Sequence, residues 1–204
     1  MILYDSPNPA PNPRRVRIFA AEKGIAIDLH PVSLLAREHK SPEHLTRNPI
    51  GQTPVLVLDD GTSISESVAI CRYLEALHPS PPLFGSTALE IGTIEMWIRR
   101  IEFVLGAPVR AFWVNAHPLT EKVVPLRFPD FGKANASQAL AAMTVFDAGL
   151  GKTHFLAGEA FSMADIVLLT TVDFAGFIGL AIPDDLTNLR RWHEEVSARP
   201  SAVA

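Results

Sequence analysis

The sequence predicts a chain of two parts, an α/β part over residues 1–78 and an all-helical part over residues 86–204. Three observations predict this division. Short strand patterns alternate with helix patterns up to residue 78. A stiff proline-rich segment, His78-Pro-Ser-Pro-Pro82, then interrupts the pattern, so residues 79–85 are predicted to be a linker. Beyond the linker the strand patterns fade and helical spacing dominates.

The first part begins as strand, helix and strand. The apolar residues Ile2–Tyr4 predict a short strand, Pro13–Glu22 a helix and Ala26–Val32 a second strand. The segment over residues 37–47 has no regular pattern and is predicted to be loose.

A hairpin follows this segment. Val55–Leu58 is a continuous apolar run, which favours a strand buried on both faces. Asp59-Asp60-Gly61 is a turn signal because glycine tolerates the positive φ of a tight turn, so the chain returns over Thr62–Ile64. Pro54 lacks an N–H and suits the start of such a strand.

The Thr53-Pro54 bond has two possible forms. A cis bond before proline costs about 0.5–1 kcal/mol over trans. It would turn the N–H and C=O of Thr53 outward, where another extended backbone could pair with them as an added strand. The alternative is the commoner trans proline closing a loop.

Ser65-Glu66-Ser67 precedes apolar residues at helical spacing and marks a helix start. Free backbone N–H groups and the positive end of the helix dipole concentrate at such a start. The Ser67 hydroxyl and these N–H groups could hold a ligand carboxylate, while Glu66 takes a ligand ammonium. The alternative is that Ser65 caps the helix and Glu66 complements its dipole.

The second part contains four stretches with helical spacing, separated by an irregular segment over residues 118–131 that holds three prolines. Ser162 and Asp165 have the spacing of a capping box, in which each side chain satisfies a backbone N–H near the other. The box predicts a structural role for Asp165. Replacing Asp165 by Ala is predicted to lower the free energy of unfolding by about 1 kcal/mol. The predicted helices are Ala88–Ala116, Ala134–Gly149, Met163–Leu180 and Asp184–Arg199.

Composition fits an ordinary globular chain. The 204 residues are 48% hydrophobic and 20% charged, with a net charge of −4. This charge gives no reason to expect nucleic acid or an anionic membrane as a partner, and no metal-ligand pattern is present. The single cysteine excludes an intramolecular disulfide, and the first residues carry no signal-peptide pattern, so we expect a cytoplasmic location.

Three segments together resemble a known family. Asn48-Pro-Ile-Gly-Gln-Thr-Pro-Val-Leu56 followed by Ser65-Glu-Ser67 is similar to the glutathione-binding half of cytosolic glutathione S-transferases of the bacterial type. The resemblance continues in Arg14–Gly24 and Phe155–Asp165 and so spans nearly the whole chain. It implies a thioredoxin-like glutathione-binding domain over residues 1–78, a helical bundle domain over residues 86–204 and a homodimer.

The resemblance also implies how glutathione, the co-substrate, is held. Thr53 would pair its backbone with the cysteinyl unit, and Glu66 with Ser67 would hold the γ-glutamyl end. His39 and Lys40 would hold the glycyl carboxylate with help from Gln52, Lys40 acting as a point charge. The alternative for Lys40 is a solvated loop charge.

The position of the thiolate donor departs from the family pattern. The nucleophile is the thiolate, and family members stabilise it with a Tyr, Ser or Cys near the first helix. Here the corresponding place falls on Pro9 or Ala10, and neither carries a donor. Asn12 is the nearest candidate: before Pro13 it is predicted to cap the first helix, and its NH₂ group can donate to sulfur at the same time.

Other thiolate donors are possible. Tyr4 has the right residue type but lies inside the first strand, where packing is its simpler role. Ser6 at the strand end is also compatible with plain turn chemistry. Asn115 and His117 at a helix end could hold a water against the sulfur, or serve only that helix end. Backbone groups alone remain a further possibility.

The sequence thus predicts a glutathione transferase that attacks a small hydrophobic electrophile, in the manner of a detoxification enzyme. Two other functions share the same site. One is a glutathione-dependent disulfide or peroxide reductase, and the other is a non-catalytic glutathione or ligand carrier, which the missing hydroxyl favours. The long second-part helix carries aromatic residues that would border an electrophile, but they do not identify it.

Overall fold

The computed structural model describes residues 1–204 and divides them into two compact units. The first unit comprises Met1–Leu83 together with Pro200–Ala204, and the second comprises Phe84–Arg199. The sequence pattern groups residues 200–204 with the helical part, whereas their contacts lie with the first unit.

The first unit is a four-stranded sheet with helices. Strand β1 lies between β2, to which it is parallel, and β3, to which it is antiparallel, and β4 completes the order β2-β1-β3-β4. The elements in chain order are β1 (Ile2–Asp5), α1 (Pro11–Glu22), β2 (Asp28–Pro31), a 3-10 turn (Glu38–Lys40), α2 (Pro42–Arg47), β3 (Val55–Val57), β4 (Ser63–Ser65), α3 (Ser67–Leu77) and, at the C-terminus, a 3-10 turn (Pro200–Val203).

Apolar side chains on the central strands and on the packed pair of helices α1 and α3 form the core of this unit. Leu3 and Leu56 from the strands and Phe19 from α1 are fully buried. The predicted hairpin is confirmed: Gly61 has a φ of 86°, and the Leu58 N–H donates to the Thr62 carbonyl at 2.9 Å. The strands and the two helices therefore share one core, from which the loops at the sheet edge extend.

Lys23 attaches the segment after α3 to the first unit. Its ammonium donates to the carbonyl oxygens of His78 and Pro81, both at 2.6 Å, and pairs with the Glu75 carboxylate at 2.6 Å. Its side chain is fully buried, so two hydrogen bonds to carbonyl oxygens and one ion pair surround the ammonium group. Part of the segment predicted to be a linker is therefore fixed in place.

The second unit is helical. Its elements are α4 (Ala88–Arg100), a π-helical segment (Ile101–Gly106), α5 (Ala107–Asn115), a 3-10 turn (Pro118–Thr120), α6 (Pro129–Leu150), α7 (Met163–Phe177) and α8 (Thr187–Ser197). Helix α7 is the central element, since 11 of its 15 residues are buried. No helix of the chain has the length and apolar character needed to cross a membrane.

The helix predicted over Ala88–Ala116 is interrupted by the π-helical segment. Pro108 has no N–H to donate to the carbonyl four residues earlier, and its ring needs room in the preceding turn. A local widening of the helix accommodates both effects. Helical spacing predicts an unbroken helix here because it takes no account of this proline.

Two predictions of local structure are wrong. Helix α1 begins at Pro11, its N-cap position is Ala10, and no side chain caps it, so Asn12 is not the N-cap. Both Pro11 and Pro13 fit the first turn because N–H groups there have no helical partner. The segment predicted to be loose contains α2, which begins where the Ser41 hydroxyl accepts from the His44 N–H at 3.1 Å.

Candidate functional site

The hairpin places Thr53 and the start of α3 at the same end of one strand pair. The antiparallel β3–β4 ladder ends with the pair Val55 and Ser65. Thr53 lies two residues before Val55 and Ser67 lies two residues after Ser65, so both follow directly on this end of the ladder. The Thr53-Pro54 bond is cis, which is the form that the added-strand interpretation requires.

A pair of hydroxyl groups fixes the side chain of Thr53. Its Oγ1 lies 2.9 Å from the Oγ of Ser6, which in turn donates to the Val32 carbonyl at 3.1 Å. Because a carbonyl only accepts, the single proton of Ser6 is used there, and Thr53 donates to Ser6. Ser6 is completely buried, so it holds Thr53 in place and has no proton left for a ligand thiol.

Helix α3 begins without a side-chain cap. Its N-cap position is Glu66, and Ser65 is the last residue of β4, so the interpretation of Ser65 as the cap is wrong. Glu66 has a φ of 68° and a ψ of 115°, a conformation that L-residues rarely adopt. Such strain persists where the surroundings enforce it and is concentrated at functional sites. Here it leaves the Glu66 carboxylate exposed beside the free N–H groups of α3.

Ser67 is the first residue of α3 and is almost completely buried, with 5% of its surface exposed. Its Oγ accepts a long hydrogen bond of 3.4 Å from the guanidinium of Arg15 on α1. Arg15 itself is 7% exposed. The start of α3 therefore has a positive charge behind it as well as the positive end of its own dipole.

His39 and Lys40 pack tightly against the turn that leads to Gln52. Gly51 has a φ of 61°, and a Cβ at this position would lie 2.8 Å from the His39 carbonyl oxygen. Only glycine fits this contact. The Lys40 ammonium donates to the Ile50 carbonyl at 3.0 Å, which leaves it two further donors. The residues just before Thr53, Ile50 and Gly51, thus contact the His39–Lys40 pair and form one continuous surface with it.

Two buried side chains orient the backbone of Gln52. Its carbonyl accepts from the Nε2 of His44 and from the Nδ2 of Asn48, both at 3.0 Å. Because the carbonyl only accepts, His44 carries a proton on Nε2. The Gln52 side chain is exposed and free to face solvent or a ligand.

The field beside His39 is positive. Burial, followed by the charges of Lys40, His44 and Arg37, holds the pKa of His39 below its ordinary value of 6.5. His39 is therefore neutral at pH 7, and its neighbourhood favours an anion. Its Nδ1 is buried without a hydrogen-bond partner, which adds an unused polar atom to the surface.

Asn12 is the second residue of α1 and is half-buried. Since it does not cap the helix, its amide is available to a ligand at the positive end of the α1 dipole. Pro9 and Ala10, which correspond to the usual position of the thiolate donor, carry no side-chain donor.

Tyr4 and Asn115, two of the alternative thiolate donors, make structural contacts, and the single cysteine, Cys71, is buried in α3. The guanidinium of Arg47 lies over the ring of Tyr4, with its Cζ atom 4.2 Å from the ring centre. Cys71 is completely buried, and burial raises the pKa of its thiol. In the second unit, the Asn115 amide donates to Ala111 and accepts from the Phe128 N–H, so it serves the end of α5.

The supporting residues Arg15, His44 and Arg17 were not predicted from the sequence. Arg17 bonds Asp5 at 2.6 Å and Asn8 at 2.6 Å, which fixes the loop before α1. The segment Arg14-Arg-Val-Arg17 offers three equivalent cations, and helical spacing does not tell which one is turned towards α3. The Ser41-Pro42 cap was the local signal that would have placed His44 on a helix.

Known sequence profiles and relatives match most of the chain. Residues 10–77 match the sequence profile of the glutathione S-transferase N-terminal domain, and residues 122–200 match that of the C-terminal domain. The chain is 40% identical to glutathione S-transferase 2 of Saccharomyces cerevisiae over 204 residues, covering 98% of this chain and 87% of the relative. The chain belongs to the glutathione S-transferase family.

Solved structures of related proteins have the same fold as this chain. A crystal structure of Gtt2 from Saccharomyces cerevisiae superposes with a TM-score of 0.94 at 39% identity, covering 100% of this chain and 99% of that one. Glutathione S-transferase-I bound with lactoylglutathione superposes with a TM-score of 0.82 at 25% identity, covering 99% and 96%. The predicted thioredoxin-like first domain and helical second domain are confirmed, as is the assignment to the transferases of this family.

Proposed function

We propose that this protein transfers the thiolate of glutathione, its co-substrate, to a small hydrophobic electrophile. One observation carries the proposal: Thr53 and the uncapped start of α3 at Glu66 and Ser67 both lie directly beyond the same end of the β3–β4 ladder. An extended backbone docking edge then lies beside donors for a carboxylate and an acceptor for an ammonium. This combination fits a γ-glutamyl peptide, which carries all three features.

Thr53 would bind the cysteinyl unit through its N–H and C=O groups. Glu66 would accept from the γ-glutamyl ammonium, and Ser67 would donate its N–H and hydroxyl to the α-carboxylate beside it. The positive end of the α3 dipole favours an anion at this point by about 0.3–1 kcal/mol.

His39, Lys40 and Gln52 would hold the glycyl carboxylate at the other end. Burial is the main reason why the pKa of His39 is lowered, and the positive charges of Lys40, His44 and Arg37 lower it further. These charges support the assignment, because a bound anion relieves the repulsion among them. Lys40 retains donors beyond the one bound to Ile50.

Asn12 would donate its NH₂ group to the thiolate sulfur. A free thiol has a pKa of about 8.5, so lowering it by one to two units requires about 1.4–2.7 kcal/mol. One hydrogen bond to a charged group contributes about 1.5–3 kcal/mol, which covers this requirement. The α1 dipole acts in the same direction.

Calorimetric titration with glutathione, followed by an absorbance titration of the bound thiolate, tests both steps. We expect binding and a depressed thiol pKa in the wild type, and a pKa near its free value in Asn12→Ala. Asn12→Asp is the matched variant: it suits the first turn of a helix but places a negative charge at the sulfur, so the thiol pKa should rise further. Absence of glutathione binding would overturn the proposed function.

A substrate panel separates the alternatives. Turnover of small aryl or alkyl electrophiles supports the transferase, while turnover restricted to disulfides or peroxides identifies the reductase. The non-catalytic carrier remains a candidate because Ala10, at the start of α1, has no donor side chain. Binding of glutathione with an unshifted thiol pKa would identify the carrier.

We also propose a homodimer in the cytoplasm with a role in detoxification. Leu89, Met96 and Phe103 follow one another at seven-residue intervals along α4 and its π-helical continuation, and they are 80%, 39% and 69% exposed. An apolar stripe of this kind fits a second copy of the chain. Light scattering should give twice the chain mass, and Phe103→Glu should give the monomer.

Cell fractionation tests the proposed cytoplasmic location, which is the compartment that holds the reduced glutathione pool.

A further inference from the structure

The second unit has a cleft between its last two helices. It is lined by α7, by α8 and by the segment that connects them, and its volume is about 260 Å³. All of its lining residues belong to the second unit, whereas the residues proposed to bind glutathione belong to the first. Drug-sized ligands occupy about 300–1,000 Å³, so this cleft suits a smaller molecule.

One wall of the cleft is apolar. It consists of Val172 and Gly176 from α7 and of Ala181 and Ile182 from the connecting segment. Gly176 leaves part of the space open, because a Cβ at this helical position would meet no atom within 4 Å. An aliphatic group placed against this apolar wall would leave water, which favours binding.

The cleft also has a negative side. The Nε2 of His193 lies 2.6 Å from the Oδ1 of Asp173, and both side chains are half-buried. Because a carboxylate only accepts, the proton of this hydrogen bond is on Nε2, and a neutral ring then has an acceptor at Nδ1. Glu194, the next residue of α8, lines the cleft with a second carboxylate. This side therefore suits a ligand ammonium.

Arg190 supplies the opposite charge. It lies four residues before Glu194 on α8, which is about 6 Å along the helix axis. Its guanidinium pairs with the carboxylate of Asp184, whose side chain is 98% exposed. An exposed pair of this kind contributes little to stability, so a ligand carboxylate can take the place of Asp184. The cleft thus presents a positive and a negative group one helical turn apart.

We propose that this cleft binds a free α-amino acid with a small aliphatic side chain, such as leucine. The ammonium lies at Glu194 and the Asp173–His193 pair, the carboxylate binds Arg190, and the side chain packs on the apolar wall. An amine or an acid of the same shape leaves one of the two charged groups without its partner. The inference goes beyond the proposed function and shares no residue with it.

Three ligands test the proposal in a chemical-shift titration of the whole chain by NMR. They are leucine, isoamylamine, which is leucine without its carboxylate, and isocaproate, which is leucine without its ammonium. We expect leucine to shift resonances of residues 172–194 with a Kd of about 1 mM. Each analogue should bind about fivefold more weakly, the loss of one exposed charged contact. Equal binding of all three, or no shift with leucine up to about 20 mM, would overturn the proposal.

Two charge variants assign the ends of the ligand. Arg190→Gln should weaken leucine and isocaproate about fivefold without weakening isoamylamine. Glu194→Gln should weaken leucine and isoamylamine by the same factor without weakening isocaproate. Both side chains are exposed, so we expect both variants to fold. A variant that loses the same factor for all three ligands would contradict the assignment of the charges.

Gly176→Leu tests the location, because the new side chain fills the open space. We expect it to weaken all three ligands more than about tenfold. Gly92→Leu is the matched control: Gly92 lies on α4, is exposed, and a Cβ there would also meet no atom within 4 Å. It should bind leucine like the wild type. Wild-type binding in Gly176→Leu would refute the cleft as the site, and the two charge variants decide the matter if Gly176→Leu does not fold.

The head group of leucine is the same as that of a γ-glutamyl unit, so competition with glutathione separates the two sites. Saturating glutathione should leave the leucine titration unchanged. Displacement of leucine by glutathione would place leucine at the site of the first unit and would overturn this inference. Absence of glutathione binding would overturn the proposed function alone.

Discussion

Two helices of this protein begin with a serine and an acidic residue, and the two starts are opposite in character. At the start of α7, Asp165 is completely buried and accepts from the N–H and hydroxyl of Ser162 at 3.0 Å. It also accepts from the Leu156 N–H and the Trp192 indole, both at 2.9 Å. At the start of α3, Glu66 is exposed, strained and without any capping contact.

The difference shows how one local chemistry serves either stability or binding. At α7 the carboxylate satisfies donors of its own chain, so the helix start is closed and contributes to the core. At α3 the carboxylate is exposed and no side chain caps the helix donors, which costs stability and is the arrangement that the proposed ligand site requires. Burial decides between the two, because a buried donor cannot use water as its partner.

The largest expected effect comes from opening the closed start. Asp165→Ala should lower the free energy of unfolding by about 3 kcal/mol and the melting midpoint by about 10 °C. The cap alone predicted about 1 kcal/mol, but the structure adds the buried N–H of Leu156 and the indole of Trp192, which would lose their acceptor. Thermal unfolding measures the change.

Asp130→Ala is the control for that experiment. Asp130 also lies in the first turn of a helix, α6, but it is exposed. Its replacement should change stability by less than about 0.5 kcal/mol. Equal effects at both positions would mean that burial does not distinguish closed from open helix starts.

The next effect concerns binding at the open start. Glu66→Gln should weaken glutathione binding about tenfold, because the ammonium loses a charged acceptor, while the melting midpoint stays unchanged. Calorimetric titration gives the affinity. Asp28→Asn removes one exposed negative charge from the same unit and should leave the affinity at the wild-type value. A comparable loss in both variants would point to net charge as the cause and not to Glu66.

A smaller effect of opposite sign is expected when Glu66 is replaced by glycine. Glycine tolerates a φ of 68° without steric cost, so Glu66→Gly should raise the free energy of unfolding by about 1 kcal/mol while binding is weakened. Urea unfolding measures the gain. A loss of stability would show that the exposed carboxylate contributes to the fold and that the α3 start is not strained for binding.

The smallest effect is a pH dependence beside the open site. The folded protein holds the pKa of His39 below 6.5, chiefly through burial and then through Lys40, so the unfolded chain binds its proton first as pH falls. The stability associated with His39 is therefore complete above about pH 6.5 and is lost below it. His39→Gln should flatten this dependence in urea unfolding at pH 7.5 and 5.5, whereas His78→Gln should leave it unchanged.

Much of the fold was predictable from local pattern. The hairpin followed from an apolar run and the Asp-Gly turn, and the α7 start followed from the Ser162–Asp165 spacing, because both signals depend on neighbours in sequence. The start of α1 and the whole of α2 were missed. Both helices begin with a proline whose role the local pattern did not show. Pro11 allows α1 to begin earlier than Pro13, and Pro42 begins α2 after the Ser41 cap.

The proposed ligand-binding residues were predictable, and the residues that support them were not. Thr53, Glu66 and Ser67 lie on segments whose pattern and family resemblance marked them. The residues that hold them, Ser6 and Arg15, are distant in sequence and carry no local signal. Their roles exist only through hydrogen bonds between strands and helices.

By itself the sequence determined the two-part architecture and the hairpin, since periodicity and turn chemistry act over a few residues, and its family resemblance implied which polar residues could bind a γ-glutamyl peptide. Only the tertiary structure decided which acid is buried and which is exposed. It also decided which of the three arginines in Arg14-Arg-Val-Arg17 contacts Ser67. These outcomes depend on packing between segments far apart in the chain, where burial sets the free energy of every polar group.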